Sequence, residues 1–116
     1  IDIDLSRYRY PRNLPRIHLY ERNGTLKETA AFVNQRFDLI IEDGDHSTTS
    51  QLKTLDAFAP YVKPNGYYVV EDIVGGNEKH KQALEEMGRS HGLSMEWLEL
   101  TAEKNRYDDI VAIFRI

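Results

Sequence analysis

The spacing of apolar residues changes along the chain, and each change predicts a new element of secondary structure. Apolar and polar residues alternate over residues 1–4 and 17–20, as they do in short strands. Residues 25–36 then carry apolar side chains at helical spacing, after an Asn-Gly-Thr sequence that is typical of a helix start. Residues 37–41 form an almost unbroken apolar run, which is typical of a buried parallel strand. The first 41 residues therefore predict two strands, a helix and a third strand.

The remainder of the chain predicts two more helices and three more strands. One helix is expected over residues 47–62, with a Ser or Thr as its N-cap, and the other over residues 75–91, with a glycine as its C-cap. A strand is expected at residues 67–70, between these helices. Two final strands, near residues 94–100 and 109–115, flank a polar turn and predict an antiparallel hairpin.

This succession predicts an α/β fold. Strands that alternate with helices through short connections form parallel βαβ units with right-handed crossovers. We therefore expect a Rossmann-like, doubly wound and mostly parallel sheet that is closed at one edge by the C-terminal hairpin. In such sheets ligands bind beyond the carboxyl ends of the strands, so the polar residues at those ends are the first candidates for chemistry.

Acidic residues follow the predicted strands at this edge of the sheet. Asp2 lies in the first strand, Asp43 follows residues 37–41, and Glu71 and Asp72 follow residues 67–70. Because neighbouring strands are only about 4.8 Å apart, carboxylates at their ends can share a hard divalent cation such as Mg²⁺. His46 is a candidate general base, since a neutral imidazole accepts protons near pH 7. The alternative interpretation is that Glu42, Asp45 and Asp72 are solvated loop acids or helix N-caps, and that His46 is an inactive loop histidine.

Composition narrows the possible partners. The 116 residues carry a net charge of −4, which disfavours binding to nucleic acid through its phosphates. The sequence has no apolar run of about 18 residues, so it predicts no membrane span. The absence of cysteine excludes Cys-ligated zinc and fits the reducing cytoplasm. We therefore expect a small-molecule partner.

Three sequence segments carry a resemblance to a known family. These segments are FDLIIEDGDH, KPNGYYVVEDI and the opening IDID, together with the helix between the first two. The resemblance itself extends over nearly the whole chain. Together they resemble the class I S-adenosylmethionine-dependent methyltransferases. The resemblance is closest to the metal-dependent sugar O-methyltransferases of the macrocin and mycinamicin type and to the related cephalosporin-hydroxylase-like group.

The resemblance implies a role for each candidate residue. Asp43, Glu71 and Asp72 would be Mg²⁺ ligands, and His46 would be the general base. Asp2 would hydrogen-bond the ribose hydroxyls of S-adenosylmethionine. The implied function is Mg²⁺-dependent O-methylation of a hydroxyl on a sugar or a related small-molecule natural product. Two alternatives stay open: a non-catalytic remnant or interaction domain of the same fold, and a metal-dependent hydrolase.

The resemblance also implies that residues 1–116 are a single partial domain, the C-terminal part of a class I methyltransferase domain. The first strand of that fold and its glycine-rich loop have no counterpart before Ile1. In the family's sheet this strand lies in the middle, so its absence would leave unpaired backbone groups. We therefore expect an upstream chain segment or a partner subunit, as in a homo-oligomer, to complete the sheet.

Overall fold

A computed structural model describes residues 1–74, 78–105 and 107–116. The predicted helix start at residues 75–77 and Arg106 in the predicted turn lie outside these residues. In chain order the elements are α1 (Lys27–Val33), β1 (Phe37–Glu42), α2 (Thr48–Phe58), β2 (Val62–Val70), α3 (Glu78–Ser90), β3 (Ser94–Glu99), α4 (Thr101–Lys104) and β4 (Ile110–Arg115). Short 3-10 turns lie at Leu5–Arg7 and Ala59–Tyr61.

The four strands form one sheet in the order β1-β2-β4-β3. β1 and β2 are parallel, and β4 runs antiparallel to both β2 and β3. Three of the four strands therefore run in the same direction. This arrangement confirms the α/β class and the C-terminal antiparallel pair, with α4 in the connection between β3 and β4.

Local signals determine where the helices begin and end. At the start of α2 the side chain of Ser47 accepts a hydrogen bond from the Ser50 N–H at 3.2 Å, as predicted for a Ser cap. After α3, Gly92 adopts a left-handed φ of 75°, which confirms the predicted glycine C-cap. β2 begins at Val62, earlier than the predicted residue 67, because Val62 already pairs with Phe37 of β1.

The core lies between one face of the sheet and a single layer of helices. α2 packs against both α1 and α3, and it contacts β1 and β2 while α3 contacts β3. The buried core residues come from both layers and include Leu55, Phe58, Tyr68, Leu84 and Phe114. No helix of the described part of the chain is long and apolar enough to cross a membrane.

Among the described residues no helix covers the opposite face of the sheet, so the second helical layer of the predicted doubly wound sheet is not seen there. Leu39, Ile41 and Tyr67 lie on this face and remain 52%, 54% and 44% exposed. A second helical layer forms when the strand order reverses on the far side of the first parallel pair. The described residues place no strand beyond β1, so this reversal does not occur among them.

The prediction of strands at residues 1–4 and 17–20 is wrong. These segments meet only in an isolated parallel bridge between Asp2 and Glu21. The Asp2 N–H donates to the Tyr20 carbonyl at 3.0 Å, and the Arg22 N–H donates to the Asp2 carbonyl at 2.8 Å. A cleft of about 300 Å³ separates the segments from β1. A strand needs a neighbour that continues its ladder, and here no ladder joins these segments to the sheet.

We predict that Gly88→Ala destabilises the fold, although alanine normally stabilises a helix. A Cβ at Gly88 of α3 would lie 2.5 Å from Cε1 and 2.6 Å from Cδ1 of the fully buried Phe114. Overpacking of this kind costs about 1–3 kcal/mol. Urea unfolding followed by the fluorescence of Trp97, the single tryptophan, measures the change. Gly24→Ala is the control, since its added Cβ meets no atom within 4 Å. Unchanged or increased stability of Gly88→Ala would contradict this packing.

Candidate metal centre and adjoining cleft

The ends of β1 and β2 bring three candidate residues together. Because the two strands are parallel and paired, the residues after Glu42 and after Val70 emerge at the same edge of the sheet. Asp43, His46 and Asp72 each place one possible ligand atom within 4.8 Å of the others. Asp43 is exposed, and His46 and Asp72 are partly buried, so the group is accessible to solvent.

The connection between β1 and α2 is held by its own side chains. One carboxylate oxygen of Asp45 accepts from the Ser47 N–H at 2.9 Å, and the other accepts from the Ser50 hydroxyl at 2.8 Å. The Ser47 N–H and the Ser50 hydroxyl both lower the pKa of Asp45. Asp45 therefore organises the start of α2, the cap-like role that the alternative interpretation gave to these acids.

His46 lies against Asp43. Its Nε2 is 3.2 Å from Oδ1 of Asp43, and its side chain is 34% exposed. A carboxylate only accepts hydrogen bonds, so this contact favours a proton on Nε2 and leaves Nδ1 as the acceptor in the neutral ring. The pair thus orients one ring nitrogen of His46 for proton transfer.

The backbone is in an uncommon conformation at two members of this group. His46 has a φ of 60° and Asp72 a φ of 50°, both in the left-handed region. For residues with a side chain this conformation costs about 1–2 kcal/mol. At Asp72 it turns the chain immediately after β2, so that its side chain departs from the alternation of the strand.

Glu71 is not part of the group, although the resemblance implied that it is a ligand. Its backbone is fully engaged: the Glu71 N–H donates to the Glu42 carbonyl at 3.0 Å, and its carbonyl accepts from Nε2 of Gln51 at 3.2 Å. These bonds continue the pairing of β1 and β2 by one residue. The Glu71 side chain contributes no ligand atom to the group formed by Asp43, His46 and Asp72.

Two buried polar residues beneath the group had not been predicted. Glu42 is 5% exposed, and its Oε1 accepts from the Gly44 N–H at 3.1 Å. Gln51 of α2 is fully buried. Glu42 Oε2 and Gln51 Oε1 have no hydrogen-bond partner among the described residues. A buried, unpartnered polar atom destabilises the folded state by about 1–3 kcal/mol, so both side chains lower the stability of the fold.

The sequence contains a weak indication that each of these residues is buried. Glu42 follows Ile40 by two positions and therefore shares its face of β1, toward the core. Gln51 precedes Leu55 by four positions and lies on the same buried stripe of α2. Burial raises the pKa of Glu42, and the charges of Asp43 and Asp45 add to the rise, against the hydrogen bond from Gly44.

A cleft of about 710 Å³ adjoins the group and contains Asp2. This volume lies within the range of small-molecule sites, about 300–1,000 Å³. Asp2, Asp43 and Arg22 line it together, so the structure brings the predicted cofactor residue into the same cleft as the predicted metal residues. Its other walls come from the N-terminal segment, the loop at residues 22–25, the end of β1 and the first turns of α2.

The donor set fits a hard divalent cation. Asp43 and Asp72 supply carboxylate oxygens, which Mg²⁺ prefers, whereas an imidazole such as His46 suits softer metals better. With metal–oxygen distances of about 2.1 Å, a coordination sphere spans about 4.2 Å. Small side-chain rotations would therefore bring the two carboxylates to a common ion.

Comparisons with known proteins identify the family. Residues 7–73, more than half of the chain, match the methyltransferase domain family, and the chain belongs to it. This membership confirms the resemblance to S-adenosylmethionine-dependent methyltransferases. Over 50 residues the chain is 40% identical to demethylmacrocin O-methyltransferase of Streptomyces fradiae. That stretch covers 43% of this chain and 12% of the relative, so the chain matches a small part of that protein. No solved structure matches the chain significantly.

We predict that Glu42→Gln stabilises the protein at neutral pH but not in acid. Because the pKa of Glu42 is raised from its ordinary value of 4.5, the folded state binds this proton more tightly than the unfolded state. Ionisation of Glu42 therefore destabilises the fold as the pH rises from 4.5 through the raised pKa. Glutamine removes the charge and keeps the acceptor for the Gly44 N–H.

The measurement is urea unfolding at several pH values in the presence of a chelator. The expected gain is present at pH 7 and disappears below pH 4.5. The exposed Glu86→Gln is the matched control, for which we expect no comparable gain. A lower free energy of unfolding for Glu42→Gln at pH 7 would show that the buried carboxylate does not destabilise the fold.

Proposed function

We propose that this domain acts in the Mg²⁺-dependent transfer of a methyl group from S-adenosylmethionine to a hydroxyl of a sugar or a related small-molecule natural product. One observation carries the proposal: Asp43, His46 and Asp72 gather at the ends of adjacent parallel strands. They do so beside a cleft that also contains Asp2, in a chain of the methyltransferase domain family.

The metal would be held by the carboxylates of Asp43 and Asp72. When bound, Mg²⁺ supplies a positive charge that lowers the pKa of a neighbouring substrate hydroxyl. Asp43 can serve two purposes, because Oδ1 contacts His46 and its second oxygen remains for the cation. Glu71 stays a candidate ligand in this proposal and would need to turn toward the group.

His46 would act as the general base. With the Nε2 proton directed at Asp43, Nδ1 is free to accept the proton of the substrate hydroxyl. The imidazolium formed in this way is stabilised by the Asp43 carboxylate at 3.2 Å. The left-handed backbone at His46 supports this role, since strained conformations occur preferentially at functional sites.

The cofactor would occupy the cleft of about 710 Å³, with Asp2 accepting hydrogen bonds from its ribose hydroxyls. When bound, S-adenosylmethionine supplies an electrophilic methyl group. Asp2 and Asp43 line the same cleft, so a ligand held by Asp2 lies beside the acidic group. Proximity of this kind is the main requirement for a direct transfer between two bound molecules.

The substrate class is supported by the relative's name, demethylmacrocin O-methyltransferase. The proposal includes a further strand beside β1, from another chain segment or a second subunit, because the outer edge of β1 borders an apolar cleft. The proposal also includes a cytoplasmic location, which the absence of cysteine from the sequence supports.

One alternative function has an observation in its favour. The exposed Leu39, Ile41 and Tyr67 would suit a non-catalytic interaction domain, since exposed apolar patches often mark binding surfaces. The hydrolase is less well supported, because the acidic group contains a single histidine. Binding of the cofactor distinguishes the methyltransferase from both alternatives.

We predict that the protein binds S-adenosylmethionine and S-adenosylhomocysteine, and that Asp2→Asn weakens this binding. The loss of one charged acceptor for hydroxyl groups costs about 1.5–3 kcal/mol, or about tenfold or more in affinity. Calorimetric titration with and without Mg²⁺ measures it, for this chain and for a version extended upstream. The exposed Asp38→Asn on β1 is the control. If neither form binds either compound, the interaction domain becomes the better interpretation.

We further predict that His46→Gln lowers methyl transfer to a sugar acceptor by about 10²-fold or more, because a general base contributes about 10²–10⁴-fold. Cofactor affinity should stay unchanged, since His46 does not line the cofactor cleft. His91→Gln is the control, as His91 pairs with Asp56 outside the acidic group. Normal turnover of His46→Gln would reject its role as base.

Asp72→Asn should instead raise the Mg²⁺ concentration needed for half-maximal rate.

A further inference from the structure

We infer that Gln51 is a positioning residue that sets the place of Asp72 relative to Asp43 and His46. The inference rests on the proposed function, because it concerns the same metal centre. Gln51 is not a candidate ligand: it is fully buried in α2 and contributes no atom to the acidic group.

Gln51 connects α2 to the end of β2. Its side-chain Nε2 donates to the Glu71 carbonyl at 3.2 Å, and its backbone N–H donates to the Ser47 carbonyl at 3.0 Å. A carbonyl only accepts hydrogen bonds, so the amide must present its NH₂ group to Glu71. Ser47 directly follows His46 in the sequence. One residue of α2 is therefore bonded through its backbone to the residue after His46 and through its side chain to the residue before Asp72.

The bond acts on the peptide unit that leads into Asp72. The Glu71 carbonyl belongs to the planar peptide whose nitrogen is that of Asp72, so holding this oxygen fixes the plane from which Asp72 departs. The preceding peptide is held from the other side, where the Glu71 N–H donates to the Glu42 carbonyl at 3.0 Å. The peptide after Asp72 is held as well, because the Ile73 N–H donates to the Ile110 carbonyl at 3.1 Å. With the planes on both sides of Asp72 fixed, this residue is kept at its left-handed φ of 50°.

Stability alone does not account for this residue. Gln51 Oε1 is buried and has no hydrogen-bond partner within residues 1–74, 78–105 and 107–116, although neighbouring positions of the buried stripe carry apolar side chains such as Leu55. An apolar residue of similar length would avoid the unpartnered oxygen. The contact that only an amide donor makes here is the one to the Glu71 carbonyl, next to the acidic group.

The test measures the affinity of the full chain for Mn²⁺, a spectroscopic substitute for Mg²⁺, by electron paramagnetic resonance. Gln51→Met keeps the length of the side chain and removes the donor. We expect it to weaken Mn²⁺ binding by about 10-fold or more, as losses of such supporting contacts do. Leu55→Met is the matched control: it alters a fully buried position one turn further along α2, and its affinity should stay within about twofold.

Circular dichroism and thermal unfolding establish that each variant folds. Gln51→Asn, which keeps the amide but is too short to reach Glu71, replaces Gln51→Met if that variant does not fold, with the same expectation. Wild-type affinity in the folded Gln51 variant would overturn the positioning role and leave the metal centre intact. Equal weakening in Leu55→Met would also overturn it, as a general packing effect. Absence of Mn²⁺ binding by the wild type would overturn both the metal centre and this inference.

Discussion

The parallel pairing of β1 with β2 is the constraint on which both the core and the candidate site depend. The ladder joins Leu39 to Tyr67 and continues to Glu42 and Val70, and α2 crosses over between the two strands. Parallel strands end at the same edge, so this pairing brings the loop after β1 beside the residues after β2. The same crossover places α2 on the face of the sheet where the core forms. A register shift would disturb the core and the acidic group together.

Polar groups at this edge carry costs that the rest of the fold must offset. In the part of the chain that the structure describes, Glu42 Oε2 and Gln51 Oε1 are buried without hydrogen-bond partners, and His46 and Asp72 hold left-handed backbone conformations. The core beneath them, where Tyr68 meets Phe114 edge to face at 6.2 Å between ring centroids, supplies the compensating burial. Such a concentration of unfavourable features at one place is typical of a functional site and is difficult to explain by stability alone.

The sequence predicted those features that local chemistry determines. The Ser47 cap, the Gly92 C-cap and the apolar run of β1 were all correct, because each depends on residues close in sequence. The segments at residues 1–4 and 17–20 alternate like strands but need a distant partner to become a ladder, and local alternation does not show whether one is present. The position of Asp72 beside Asp43 and His46 likewise depends on strand pairing and on hydrogen bonds from residues distant in sequence.

The open edge of β1 links the fold to the proposed chemistry. The cleft that contains Asp2 and Asp43 and the apolar cleft along β1 share Ile1, Ile40 and Phe58 as lining residues, so the two are neighbours. A strand added to this edge would satisfy the backbone of β1 and would at the same time form a wall of the cleft that contains Asp2 and Asp43. In the proposed enzyme, completion of the sheet and binding of the cofactor would therefore stabilise each other, since a ligand that binds the completed state shifts the equilibrium toward it.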